Sequence, residues 1–128
     1  MNARRSTEFV AKLNRMTQES VIKWAFKEPP RSIAVGTNTK IPAYFECILR
    51  GKKIGLYEER FQAWSSETED FYWNSSLVLA IFDSQGNEEW TFPSDLEGLH
   101  DLWQAVRFRN ADVDKYLDAV LAADAGDD

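Results

Sequence analysis

The chain has little of the chemistry that catalytic and metal-binding sites need. Its 128 residues include one cysteine, Cys47, and one histidine, His100. A single cysteine excludes an intramolecular disulfide, and one cysteine with one histidine cannot supply the ligands of a structural zinc site. Asp101 cannot orient His100, because neighbouring residues on a helix point in different directions. We therefore predict no catalytic residue, no metal site and no cofactor.

Long apolar runs are also missing. No uninterrupted apolar segment approaches the 18 residues that indicate a membrane-spanning helix. The first residues, MNARRS, lead into a charged amphipathic stretch rather than into the apolar core of a signal peptide. These absences favour a cytoplasmic protein that does not engage a membrane.

Positive charge is scarce in the second half of the chain. Residues 1–60 hold 12 Lys and Arg against 6 Asp and Glu, whereas residues 61–128 hold 3 against 15. The whole chain has a net charge of −6 and an isoelectric point near 4.8. Because phosphate binding needs a basic surface, this balance disfavours nucleic acid as the partner. Opposite charges on the two halves favour self-association, with a homodimer as the preferred form.

The pattern of apolar residues predicts one α+β domain over residues 1–128, with 1–5 and 124–128 frayed. The elements follow the order α-β-β-β-β-β-α-α. Consecutive strands joined by short turns pair most simply as antiparallel neighbours. We predict a four- to five-stranded antiparallel β-meander with an N-terminal helix and two C-terminal helices packed on it.

Three local patterns within this fold are specific enough to test. Strict alternation places Ile41 on the inward face of its strand together with the odd-numbered residues 43–49. The pair Ser94 and Glu97 has the spacing of a capping box for the helix that ends near Asn110. The predicted core consists of Phe45, Cys47, Leu79, Ile81, Leu99, Trp103, Val106 and Leu117.

Aromatic residues are abundant, with eight Phe, four Tyr and five Trp. Large rings anchor cores, but those left on the surface often anchor interfaces. Trp64 adjoins the polar loop 65–70, and with Tyr72 it could form an aromatic surface patch. The alternative is that these rings fill the core or cover the ends of the sheet. The candidate binding residues are Trp64, Tyr72, Trp73 and Trp90.

Three segments carry a resemblance to a known group of proteins. They read FVxxLxRMT over 9–17, IFDSQG over 81–86 and LxxLWxAVRxRxAxVDxYLD over 99–118. In this arrangement the chain resembles small uncharacterised bacterial or phage-associated proteins of about this length. The resemblance implies a compact α+β domain and implies no assigned activity and no catalytic residue.

These observations favour a non-enzymatic protein–protein interaction module, an adaptor or a regulator, over an enzyme. Its partner would be another protein or a second copy of the chain. The alternative is a small-ligand-binding or accessory enzyme domain that uses a cleft near residues 29–40, because long loops often carry function.

Overall fold

The computed structural model describes residues 3–34 and 39–122, apart from the side chain of Ala34. Nine elements follow one another along these residues. They are α1 (Ala3–Gln18), β1 (Ala25–Phe26), α2 (Arg31–Ala34), β2 (Thr39–Leu49), β3 (Lys52–Ser65), β4 (Asp70–Phe82), β5 (Glu88–Thr91), α3 (Leu99–Asn110) and α4 (Val113–Ala122). Helix α1 includes residues 3–5, which we expected to fray, and 1–2 and 124–128 lie outside the described residues.

The predicted fold class is confirmed. The five strands form one sheet in the order β1-β2-β3-β4-β5, and every neighbouring pair is antiparallel. Each strand pairs with the next along the chain. From β2 to β5 the connections are short turns, which favour the pairing of neighbouring strands. None of the helices in the described part of the chain is long and apolar enough to cross a membrane.

The main core lies between one face of the sheet and helices α1 and α3. The sheet contributes Phe45, Cys47, Leu56 and Leu79, all buried. The helices cover them with side chains at three- and four-residue spacing, as an amphipathic helix must. These helical side chains are Val10, Leu13, Leu99, Leu102, Trp103 and Val106.

A second, smaller cluster lies on the opposite face of the sheet, which we call the open face. Its buried members are Tyr44, Tyr57, Val78, Ala80 and Phe82. Among the described residues, the single turn α2, through Ile33, and the start of β2, through Ile41, add partly buried apolar groups there. The sheet is therefore apolar on both faces, but helices longer than one turn cover only the main-core face.

The predicted inward position of Ile41 is wrong. The register of β2 against β3 shifts between Lys40 and Ala43, so one extra residue occupies β2 at this point. Such a bulge reverses which side chains face each side. Pro42 lies in the bulge, where its lack of an N–H costs no ladder hydrogen bond. Ile41 consequently packs in the open-face cluster with Tyr44.

The predicted capping box at Ser94 and Glu97 does not form. Helix α3 begins at Leu99, after Gly98 in the left-handed conformation with φ of 86°, and no side chain caps it. Residues 94–98 form turns instead, with the Leu99 N–H donating to Leu96 O. Glycine is favoured at this φ because it carries no Cβ.

Helix α4 differs most from the prediction. Six of the eight predicted core residues are buried and Ile81 is partly buried against the same cluster, but Leu117 is 47% exposed. No residue of α4 is buried. Asp112, with φ of 53°, turns the chain between α3 and α4 and directs α4 away from the sheet. The spacing predicted an amphipathic helix correctly, but no other described element buries its apolar side.

Candidate functional site

The candidate site lies on the far half of the β3–β4 hairpin. These two strands pair without interruption from Lys53 opposite Phe82 to Ser65 opposite Asp70. Strand β2 begins at Thr39, which lies opposite Phe61. From there to its tip the hairpin, which we call the ribbon, has no other described strand beside it. The main-core cluster contains no residue between 57 and 76 of this hairpin. The hairpin therefore extends past the part of the sheet that the helices cover.

Aromatic rings occupy one side of this ribbon. Trp64 lies opposite Phe71, and their ring centroids are 5.1 Å apart at 72°, an edge-to-face contact. Trp73 follows on the same side, because alternate residues of a strand share a face. The Lys40 Nζ lies 4.9 Å from the centroid of the Trp73 ring, within cation–π distance. We call Trp64, Phe71, Trp73 and Lys40 the hairpin face.

The rings of the hairpin face remain accessible despite their mutual contacts. Trp64 is 56% exposed, Phe71 59% and Trp73 49%. By register, these side chains continue the row that includes Leu56 and Leu79 in the main core. The hairpin face is thus an apolar extension of the core face that no described helix covers.

Polar contacts shape the tip of the hairpin. The Phe71 N–H donates to Asp70 Oδ1 at 2.7 Å, and the Thr68 N–H donates to Ser65 Oγ at 3.4 Å. Glu69 adopts a left-handed conformation with φ of 53°, which closes the turn. Glu67, Glu69 and Asp70 make the tip acidic. At the base, by contrast, Lys40 lies on Trp73 and Arg60 Nε contacts Glu58 Oε1 at 3.0 Å.

The four predicted binding residues are all on the surface, but the structure does not bring them together. Trp64 and Trp73 share the hairpin face, whereas Tyr72 points to the opposite side of the ribbon. Trp90 pairs with Ile81, eight residues along β4 from Trp73, or about 26 Å. The predicted patch of Trp64 with Tyr72 is replaced by Trp64 with Phe71. The alternation of residues 71–73 could have indicated this, since only 71 and 73 share a face.

The reactive side chains considered from the sequence lie elsewhere. Cys47 is buried, and burial, with a further contribution from Glu46, raises the pKa of its thiol to about 12. His100 is exposed on α3 and lies 3.4 Å from the Gln104 amide nitrogen. A raised thiol pKa removes the thiolate that nucleophilic chemistry needs. Within the described residues, no three His, Cys, Asp or Glu side chains form a group that could hold a metal ion.

A polar cluster on the open face surrounds one mostly buried carboxylate. Glu46 Oε2 lies 3.2 Å from the Lys27 Nζ and 3.7 Å from the Lys53 Nζ. The Tyr57 hydroxyl donates to Glu88 Oε1 at 3.2 Å. Burial, followed by the charges of Glu46 and Glu88 respectively, raises the pKa of Tyr44 and Tyr57 well above the ordinary value. These ion pairs offset the cost of placing a carboxylate on an apolar sheet, which is a structural role.

A cavity of about 370 Å³ does lie near residues 29–40, where the sequence suggested a cleft. Its described lining is mainly apolar, with Phe26, Pro29, Ile41 and Tyr44. Lys27 also lines it but already contacts Glu46. Residues 35–38 of the predicted loop lie outside the described residues.

Comparison of the chain with family models, with curated proteins and with solved structures finds no match in any of the three. The resemblance to small bacterial or phage-associated proteins therefore stays a prediction.

Proposed function

We propose that the protein is a non-enzymatic protein–protein interaction module, an adaptor or regulator, that binds its partner through the hairpin face. The observation that carries the proposal is the row of Trp64, Phe71 and Trp73, each about half exposed on one side of a projecting ribbon. Tryptophan is among the residues most enriched at the energetic centres of interfaces. Its exposure on a monomer is otherwise costly, because a large ring in water gains nothing from hydrophobic burial.

The form of the ribbon also suits binding. The Trp64–Phe71 contact and the Lys40–Trp73 contact hold all four side chains of the hairpin face in place before a partner arrives. A preordered side chain loses less conformational entropy on binding than a free one does. The acidic residues at the tip and Lys40 beside Trp73 place opposite charges at the two ends of the hairpin face. These charges would orient a partner of complementary charge.

The alternative, a small-ligand or enzyme domain at the cavity near residues 29–40, has weaker support. An enzyme needs polar groups that converge on one pocket. The cavity lining is mainly apolar, and its lysine is occupied by Glu46. A cytoplasmic location is part of the proposal, as are Tyr72 and Trp90 as additional contacts outside the hairpin face.

Site-specific photo-crosslinking would test the proposal. A photoreactive amino acid is placed at position 64 or 73 and, as a matched control, at position 48, since Ile48 is 64% exposed on the open face. Irradiation in the native host should give discrete crosslinked species from 64 and 73 that are absent from 48. The same pattern from all three positions, or no species from 64 and 73, would contradict the proposal.

The captured partner would then be titrated against purified variants. The double variant Trp64→Ala/Trp73→Ala should raise the dissociation constant by at least about 30-fold, because interface anchors contribute about 2 kcal/mol or more. Ile48→Ala should leave it unchanged. Both substitutions are on the surface, so circular dichroism spectra should match that of the wild type. An unchanged affinity in the double variant would exclude the hairpin face as the contact surface.

A further inference from the structure

A second surface, separate from the hairpin face, is formed by α4. Its apolar residues recur at three- and four-residue spacing along one side of the helix, and we call them the α4 stripe. They are Val113, Tyr116, Leu117, Val120 and Leu121. The four after Val113 are between 47% and 81% exposed. A helix with such a face ordinarily buries it against another element, and no described element does so here.

The charges around the α4 stripe narrow the choice of occupant. Asp114 and Asp118 border one edge of the stripe, by the 100° rotation per residue of an α-helix. Neither has an ion pair within the described residues. Lys115, the single cation of α4, lies on the side opposite the stripe. If two α4 helices packed only on each other, no positive charge would lie beside these carboxylates. The surface that covers the α4 stripe must therefore supply a cation.

A groove that fits this requirement adjoins α4. It runs between α1 and α3, has a volume of about 890 Å³ and ends at Val113, the first residue of the stripe. Its apolar lining includes Ala105, Phe108 and Ala111, and Phe108 is 42% exposed. We call it the α1–α3 groove. Groove and stripe share Val113 and so form one continuous surface.

Two arginines line the groove. Arg109 is held by its guanidinium, which donates to the Gln18 carbonyl, and Arg107 lies over Trp103 at 5.8 Å from the ring centroid. Neither contacts a carboxylate of the described residues within ion-pair distance. The groove also includes Asp101, which leaves one net positive charge on its lining. The groove lining thus combines apolar side chains with the two arginines and with the amides of Asn14, Gln18 and Gln104. Its net positive charge is complementary to the acidic edge of α4.

We propose that the occupant is a second copy of this chain, in a two-fold symmetric dimer where α4 of each subunit lies in the α1–α3 groove of the other. The α4 stripe would cover Phe108 of the partner subunit, and Asp114 and Asp118 would approach Arg107 of the partner subunit. This inference goes beyond the proposed function, which concerns the hairpin face and a different protein.

The small area that α4 can bury favours a dimer with two equivalent helix–groove contacts over a dimer with one. A ten-residue helix is about 15 Å long and about 10 Å wide. One such helix in one groove falls short of the roughly 800 Å² per partner that a stable interface buries. Because a two-fold axis repeats every contact, each subunit would contribute both a helix and a groove. This doubles the buried area but stays below that of a typical stable interface, so the expected dimer is a weak one.

Sedimentation equilibrium of the full chain tests the proposal. The wild type should form a dimer at micromolar to millimolar concentrations. Leu117→Asp should raise the dimer dissociation constant by at least about 30-fold, the loss expected when an interface anchor is removed. The control Ile48→Asp places the same charge at another exposed aliphatic residue, outside the interface, and should leave the dimer intact. A wild type that is monomeric throughout, or a dimer that Leu117→Asp does not weaken, overturns the proposal.

Charge exchange provides a second, independent test. Arg107→Glu should weaken the dimer. Adding Asp114→Lys and Asp118→Lys in the same chain should restore it, because the charges on both sides of the contact are then reversed and attract again. Absence of restoration would overturn the assignment of these edges. At dilutions where the wild type is monomeric, Leu117→Asp should not change the melting temperature. A lower melting temperature there would show that α4 packs on its own chain and would overturn the proposal.

The two proposals can fail separately. A dimer that survives Leu117→Asp but dissociates with Trp64→Ala/Trp73→Ala would place self-association on the hairpin face and exclude α4. Loss of the crosslinked partner with an intact α4 dimer would instead refute only the function of the hairpin face.

Discussion

Gly55 is the residue where the smallest substitution should have the clearest structural cost. It lies in β3, opposite Glu46 of β2 and Ala80 of β4, on the open face. A Cβ atom there would come within 2.6 Å of Phe82 Cε2 and 3.0 Å of both Cε2 and the hydroxyl oxygen of Tyr44. Phe82 and Tyr44 are each 1% exposed, so neither ring can move into solvent without leaving the cluster.

Two opposing effects determine how much Gly55→Ala changes the free energy of unfolding. Overpacking a well-packed cluster costs about 1–3 kcal/mol, because side chains must leave their preferred rotamers. Replacing glycine with alanine in a strand stabilises the fold by about 0.5–1 kcal/mol, because it lowers the conformational entropy of the unfolded chain. We expect the free energy of unfolding to fall by about 1–2 kcal/mol, which corresponds to a melting temperature lower by roughly 4–8 °C.

Urea unfolding followed by circular dichroism measures this loss, and a second substitution identifies its cause. Phe82→Leu removes the atom nearest to the added methyl group. In that background Gly55→Ala should cost less, with a coupling of at least about 0.5 kcal/mol between the two sites. A neutral or stabilising Gly55→Ala would refute the close approach of the two rings, and additive costs would show that Phe82 is not the obstacle.

Three further predictions concern the core, the thiol and the lone histidine. In urea unfolding, Trp103→Ala should cost about 3–5 kcal/mol, whereas Leu117→Ala in the monomer should cost less than about 0.5 kcal/mol, and equal costs would contradict the exposure of α4. The Cys47 thiol has a pKa of about 12 in the folded protein against an ordinary 9.0. Its contribution to stability is therefore present below pH 9 and is lost as the pH rises from 9 to 12. The urea midpoint of unfolding should fall over that range, and Cys47→Ala should make this fall smaller. His100→Gln should change partner affinity less than about threefold, or under about 0.7 kcal/mol, and a hundredfold loss would assign chemistry to that residue.

Local patterns were sufficient to predict most of the fold. Period-two alternation identified β2, and the three- and four-residue spacing of apolar residues identified α1, α3 and α4, because these periods follow from backbone geometry alone. Short turns between strands then left an antiparallel meander as the simplest pairing. The predicted burial of Phe45, Leu79, Trp103 and Val106 follows from the same patterns.

The sequence could not indicate where the register of β2 against β3 shifts or at which residue α3 begins. The bulge at Pro42 that moves Ile41 to the open face depends on how β2 meets β3. The start of α3 at Leu99, after Gly98 rather than after Ser94, depends on where the chain leaves β5 to pack on α1. Both are settled by contacts between elements, which a local pattern does not contain.

The candidate site shows the same division. The sequence alone showed that the chain is rich in aromatic residues, and it selected Trp64 and Trp73 among the candidates for a surface patch. Only the tertiary structure decided that Phe71 belongs with them and that Tyr72 and Trp90 point elsewhere, because strand pairing determines which side chains share a face. Amphipathicity likewise shows that α4 has an apolar side, but its exposure depends on the left-handed turn at Asp112, which directs the helix away from the sheet.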